Sequence, residues 1–134
     1  MFSSLQNHYQ DKVRAILKFD EAFSKRLYAG SDMFLMPSKF EPCGLSQMIA
    51  MRYGTLPIVR ETGGLKDTVD WSKGFSFLTY NAHDMLFTIQ KAVDTFINDK
   101  ETWNKKVNNA KGADFSWSKA AKEYLEIYEN LSRQ

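Results

Sequence analysis

Along residues 11–80, short apolar runs alternate with longer stretches of helical spacing. From 82 to 132 the helical spacing continues throughout. Four apolar runs mark the first half: Val13-Arg14-Ala15-Ile16-Leu17, Met33-Phe34-Leu35-Met36, Leu56-Pro57-Ile58-Val59 and the weaker Phe75-Ser76-Phe77-Leu78. Runs this short, bounded by turn residues, suit strands buried on both faces. Between the first two, Asp20 is placed to cap a helix that carries Phe23 and Leu27 one turn apart and closes at Gly30. Between the second and third, Pro42 to Tyr53 reads as a helix with Leu45, Met48, Ile49 and Tyr53 on one face and Gly54 at its end. Strand and helix in alternation predict βαβ units and a parallel sheet. Pro57 is the discordant residue, because proline weakens a central strand.

Three amphipathic stripes follow. Leu86, Ile89, Val93, Phe96 and Ile97 form one, with Asn81 as its cap. Trp103, Val107 and Ala110 form the second. Ala121, Tyr124, Tyr128 and Leu131 form the third, capped by Ser116. A short helical segment with Leu5 and Tyr9 precedes the first apolar run. A self-contained doubly wound domain usually opens on a strand and its ligand-binding turn, so the chain is expected to enter such a domain partway through. Neither a G-x-G-x-x-G nor a G-x-x-x-x-G-K-[ST] pattern occurs.

Composition narrows the class. A chain of 134 residues is one domain or part of one. At 43% hydrophobic and 25% charged, global disorder is excluded. Eighteen Lys and Arg are interleaved with sixteen Asp and Glu, for a net charge of +2, which leaves no basic patch for nucleic acid. No apolar run is long enough to span a membrane, and the first residues are polar and mixed in charge, unlike a signal peptide. Cys43 is the only cysteine, which excludes an intramolecular disulfide and a cysteine-rich metal site. A soluble, cytoplasmic protein is the expectation, without metal or cofactor.

Chemistry is expected beyond the carboxyl ends of the strands. Those ends carry Lys18-Phe19-Asp20, then Pro37 to Gly44, then Arg60-Glu61-Thr62-Gly63-Gly64. Thr62-Gly63-Gly64 precedes a short helix, Leu65 to Val69, and is either an anion-binding turn or a plain strand-to-helix connection. Glu41, next to Pro42 at the expected helix start, either complements the helix dipole or grips sugar hydroxyls. Phe19 is either a stacking platform or a core residue. Cys43 would need a base to act as a nucleophile, and His8 and His83 lie away from the predicted strand ends.

Three segments resemble bacterial glycogen synthase and plant starch synthase: Ser38-Lys39-Phe40-Glu41-Pro42-Cys43-Gly44-Leu45-Ser46-Gln47, Arg52-Tyr53-Gly54-Thr55-Leu56-Pro57-Ile58-Val59-Arg60, and Thr62-Gly63-Gly64-Leu65-Lys66-Asp67-Thr68-Val69. Asp114-Phe115-Ser116-Trp117-Ser118 is similar to the C-terminal signature of that family. The resemblance implies a retaining glucosyltransferase of two Rossmann-like domains that moves glucose from ADP-glucose to the non-reducing end of an α-1,4-glucan. It implies a catalytic role for Glu41 near the donor glucose. It implies backbone amides of Cys43, Gly44 and Leu45 beside sugar and phosphate, Thr62, Gly63 and Gly64 by the diphosphate, and Phe19 near the adenine. Related transferases place a second glutamate eight residues after the first. Ile49 stands there, as in the ADP-glucose group.

The expected fold is therefore α/β: a partial Rossmann-like parallel sheet of about four strands with flanking helices and a helical C-terminus, part of the C-terminal domain of a two-domain glycosyltransferase. Residues 1–80 are expected to form the partial nucleotide-sugar-binding unit and 81–134 the C-terminal helices of the same domain. The expected partners are ADP or ADP-glucose and the glucan acceptor of the intact enzyme, with no nucleic acid and no membrane. The chain alone is expected to be inactive and to self-associate through surfaces that truncation exposes. Location is expected in the bacterial cytoplasm, or in the plastid for a plant protein. A non-catalytic nucleotide- or glucan-binding module, or one completed by a partner chain, is the alternative. So is part of a transferase that uses UDP-sugars.

Overall fold

The computed structural model describes residues 1–133, and Gln134, the last residue of the expected helical stretch, lies outside the described residues. Its elements run α1 (Phe2–His8), α2 (Glu21–Gly30), β1 (Met33–Met36), α3 (Ser46–Tyr53), β2 (Leu56–Arg60), α4 (Gly64–Thr68), β3 (Phe75–Phe77), α5 (Ala82–Asn98), α6 (Lys100–Gly112) and α7 (Trp117–Ser132). The three strands form one parallel sheet in the order β1-β2-β3. Met33 lies opposite Leu56, and Ile58 opposite Phe75. The α/β class with a helical C-terminus is as expected.

Local chemistry starts the helices where the sequence predicts. Asp20 accepts from Phe23 N at 2.9 Å, Asn81 from Asp84 N at 2.8 Å, and Ser116 from Lys119 N at 3.3 Å. Each bond satisfies one of the free amides of a first turn. Asp99 ends α5 and caps α6, accepting from Thr102 N at 3.0 Å. That backbone bond holds its carboxyl below the usual carboxylate range.

The core lies between β2, β3 and the helices packed on them. Met51, Leu56, Ile58, Val59, Leu65 and Phe75 are buried there with Trp103 and Ala110. Each fully buried side chain of this size contributes about 1.5–3 kcal/mol. Trp103 stacks on Phe75 and meets Phe96 edge-on, which ties α5 and α6 to the sheet. Pro57 is tolerated in the central strand because β3 begins opposite Ile58, so β2 has a neighbour on one side only at Pro57.

Lys106 is 2% exposed and buried beside this core. Its Nζ sits 3.5 Å from the centre of the Trp71 ring and donates to the carbonyls of Trp71 and Gly74. Burial, helped by the nearby Lys91 charge, lowers its pKa to about 8. Lys106 lies on the same face of α6 as Trp103 and Ala110, a place the apolar spacing alone does not reveal.

Three expectations need correction. Val13–Leu17 is not a strand: it is an irregular segment that joins no sheet, with Ile16 48% and Leu17 75% exposed. Its Ala15 N–H donates to the Gln6 side chain of the α1 region rather than to a neighbouring strand. A strand exists only as part of a ladder, and β1 pairs with β2 alone, so the sheet has three strands rather than about four. Second, α3 begins at Ser46 rather than Pro42. The left-handed backbone of Gly44 (φ +73°) breaks the helical path ahead of it. Third, the stripe on α7 is not packed. No residue of α7 is buried, and Tyr124, Tyr128 and Leu131 are each about three-fifths exposed. Nothing within the described residues covers that face.

Candidate functional site

A parallel sheet delivers the carboxyl ends of all its strands to one edge. β1 leads into residues 37–45 there, and β2 leads into Glu61-Thr62-Gly63. The helices return antiparallel to the strands, so the start of α2, with Phe19 and Asp20 ahead of it, belongs to the same edge.

The two loops interlock through their backbones. Gly64 N donates to Pro42 O at 3.2 Å. A side chain at Gly64 would place its Cβ 2.6 Å from the Cα of Cys43, and one at Gly63 would collide with the carbonyl oxygen of Glu41. Gly63 also adopts φ +44°, which side-chain-bearing residues rarely accept. The glycines of Thr62-Gly63-Gly64 therefore let the turn lie directly on the Glu41–Cys43 segment. The alternatives left open by spacing are narrowed: this is no isolated connection, because it is half of a two-loop assembly.

Arg60 braces the assembly from below. Its Nη1 donates to Lys39 O at 2.6 Å and to Ser38 O at 3.4 Å, and its guanidinium faces the Tyr80 ring at 5.4 Å. Glu61 N donates to Phe77 O at 2.8 Å, and its carboxylate accepts from Ser76 Oγ at 2.7 Å. Thr62 N donates to Arg60 O at 2.9 Å, and Thr62 O accepts from Leu65 N at 3.1 Å.

The structure brings Glu41, Cys43, Gly44, Leu45, Thr62, Gly63 and Gly64 together at this edge. Glu41 and Thr62 are half-buried, while Cys43 and Leu45 are exposed. Because α3 starts at Ser46, Cys43 lies outside the first helical turn, and Glu41 is too far ahead to complement the helix dipole directly. The N-cap position of α3 is Leu45, which offers no side-chain acceptor. The first amides of α3 are thus left open to an external anion. Phe19 is not in the core: it is 97% exposed, in the coil before α2. Beside it, the Lys18 ammonium and the Phe23 N–H hold the Asp20 carboxyl below its usual range.

A cavity of about 630 Å³ opens between α3 and the α6–α7 connection, lined by Leu45, Ile49, Arg52, Lys111 and Phe115 among others. Of the candidate residues it contains Leu45 alone. Of the expected apolar face of α3, Met48 packs against the core, while Leu45, Ile49 and Tyr53 point outward, with exposures of 65%, 39% and 44%. The face turned to the core carries Gln47, Ala50 and Met51. No group of three or more His, Cys, Asp or Glu side chains among the described residues is placed to hold a metal. No helix among them is long and apolar enough to cross a membrane.

Two residues of the assembly escaped sequence reasoning. The sequence marks Arg60 only as a strand end and Gln47 only as part of a motif. Gln47 falls three and four residues before Ala50 and Met51. That spacing, with a polar residue on a buried face, was the available signal.

Residues 3–113 match the family described as Glycosyl transferases group 1. The chain is 55% identical over 130 residues to a glycogen synthase of Desulfitobacterium hafniense, covering 92% of this chain and 28% of that protein. It is 53% identical over 138 residues to a glycogen synthase of Clostridioides difficile, covering 98% of this chain and 28% of that protein. Among solved structures, the catalytic domain of starch synthase IV from Arabidopsis thaliana, bound to ADP and acarbose, matches with a TM-score of 0.85 and 39% identity over 99% of this chain and 29% of that one. The chain thus spans little more than a quarter of the length of the curated relatives it matches.

Proposed function

The chain belongs to the group 1 glycosyl transferases, and from that premise we propose that it is the donor-binding part of a glycogen or starch synthase. The activity is transfer of glucose from ADP-glucose to the non-reducing end of an α-1,4-glucan. The observation that carries this reading is the interlock of the Glu41–Leu45 loop with the Thr62–Gly64 turn at the carboxyl edge of the sheet. The likeness to an ADP-bound starch synthase supports it.

In this reading the diphosphate of ADP-glucose lies against Thr62-Gly63-Gly64 and the amides of Cys43, Gly44 and Leu45. Glu41 faces the donor glucose, and Phe19 stacks on the adenine. As the glycosidic bond breaks, negative charge grows on the departing diphosphate. Preorganised amide dipoles stabilise that charge without reorganising at the moment of reaction. No second carboxylate is assigned to attack the sugar, so glucose transfer proceeds on the face the leaving group departs from rather than by double displacement. Residues 1–80 supply the donor loops. Residues 81–134 are assigned to the same domain, a reading supported by the packing of α5 on β2 and β3 and of α6 on β2.

The chain alone is inactive in this account, since the acceptor side and the cations that neutralise the diphosphate are assigned to other parts of the enzyme. The setting is the bacterial cytoplasm, or the plastid for a plant protein. Self-association is part of the proposal, supported by the free outer edge of β1 and the exposed face of α7. The test is to titrate the purified chain with ADP and with UDP, and to supply radiolabelled ADP-glucose and glycogen. Millimolar, ADP-preferring binding or no binding, without incorporation, is expected. Micromolar binding of either nucleotide would favour a self-sufficient binding module. UDP preference would favour a UDP-sugar transferase.

A further inference from the structure

Gln47 is fully buried and is not used by the donor reading above. Its Nε2 lies 2.7 Å from Gly44 O, 3.2 Å from Cys43 O and 3.0 Å from Thr68 Oγ1. Thr68 Oγ1 in turn donates to Gly64 O at 2.5 Å. One buried amide therefore joins the first loop, through Thr68, to the second. Its orientation is set by these neighbours: rotated by half a turn, the amide would press its oxygen against two carbonyl oxygens. The consequence is visible at the other end of the group, where Oε1 is buried without a hydrogen-bond partner among the described residues. A buried acceptor left unpaired calls for an explanation.

The explanation lies in the geometry of the peptide group. A trans peptide is planar, and its C=O and N–H point in opposite directions. Drawing the Cys43 and Gly44 carbonyls inward onto Gln47 aims the N–H groups of Gly44 and Leu45 away from the core. Neither N–H has a protein acceptor among the described residues. Gly44 is suited to this arrangement, because a Cβ there would lie 2.6 Å from Gln47 Oε1.

We propose that Gln47 is a positioning residue for the donor diphosphate, acting through the Cys43–Gly44–Leu45 backbone to hold two amide N–H groups outward as anion donors. Thr68 fixes those donors relative to Gly64. The inference rests on the glucosyltransferase reading for the identity of the anion, but the aiming of the amides is a property of the chain itself.

The test uses the nitrogen-labelled full chain, as wild type, Gln47→Met and Thr68→Val. Residual dipolar couplings report the orientations of the Gly44 and Leu45 N–H bonds, and ADP titration reports affinity. Gln47→Met keeps the bulk and removes the donor. It is expected to reorient both N–H bonds and weaken ADP binding at least tenfold, with β2 and α6 couplings unchanged. Thr68→Val, a milder change that keeps Gln47, is expected to shift the same two couplings by less, and it decides the matter should Gln47→Met not fold. Gln47→Glu adds a rescue: above the burial-raised pKa of the new side chain, its carboxylate repels the two carbonyls. As pH falls and it gains a proton, the wild-type couplings should return. Unchanged Gly44 and Leu45 couplings in folded Gln47→Met, or ADP affinity within twofold of a measurable wild-type value, would overturn the role. If wild type binds ADP too weakly to measure, as an incomplete site allows, the couplings alone decide whether Gln47 aims the amides, and unchanged couplings overturn the role.

Discussion

Gly64→Ala probes the contact on which the site depends. The added Cβ would sit 2.6 Å from Cys43 Cα and closer still to its carbonyl group, so the neighbour that must yield is backbone rather than the end of a flexible side chain. Overpacking of this kind costs about 1–3 kcal/mol. Pushing the loops apart also weakens the Gly64 N to Pro42 O bond, worth about 1 kcal/mol. Gly64 is the first residue of the five-residue α4, so alanine's helix preference returns only part of its maximum of about 1 kcal/mol. The net expectation is a loss of about 2–3 kcal/mol, or a fall in Tm of about 10 °C for a chain of this size. Urea unfolding followed by far-ultraviolet circular dichroism measures it. Gly30→Ala is the control: nothing lies within 4 Å of a Cβ there, and its stability should stay within about 0.5 kcal/mol of wild type. If Gly64→Ala is as stable as Gly30→Ala, the two loops do not depend on that close approach and the interlock is wrong.

Lys106→Met tests the buried ammonium. Because its pKa in the fold is about 8, below the ordinary 10.5, the unfolded chain binds more protons between those values, so Lys106 makes stability rise with pH across that window and contributes no slope below it. The upper bound on that rise is about 3 kcal/mol. Subtracting the pH profile of Lys106→Met from that of wild type should reveal it, and parallel profiles would refute it. Asp99→Ala removes the cap of α6 and should cost about 1 kcal/mol in urea unfolding. No loss would mean that the cap is replaced by water. Light scattering at rising concentration should show self-association, reduced by Tyr128→Lys on the open face of α7. A clean monomer throughout would remove that proposal.

Features written in local spacing were legible in the sequence. Asp20, Asn81 and Ser116 act as caps because a side chain need only reach an amide three residues on. Leu56–Val59 and Phe75–Phe77 were legible because buried parallel strands are rich in apolar residues. Val13–Leu17 has the same look, but a strand also needs a neighbour, and composition does not say whether one is present. The face of α3 was misread because Gln47 is polar and Leu45, Ile49 and Tyr53 are not. The polar residue turns inward because its amide has carbonyls to hold; of the expected apolar face, Met48 alone reaches the core and the others are left outside. Lys106 was hidden for the same reason, since its partners, the Trp71 ring and the Gly74 carbonyl, are more than thirty residues away in sequence. The candidate site was legible as motifs. The contact between its two glycine-bearing loops was not, because spacing does not show whether a glycine makes room for a ligand or for another loop.

The function proposed for this chain is to supply the donor side of an ADP-glucose-dependent glucan synthase. Its most direct test replaces the matching stretch of a curated glycogen synthase relative with residues 1–134 and measures incorporation of radiolabelled glucose into glycogen. The account predicts incorporation from ADP-glucose rather than UDP-glucose, abolished by Glu41→Ala in a chimera that remains folded. A folded chimera that transfers no glucose, or one whose activity is indifferent to Glu41, would contradict it.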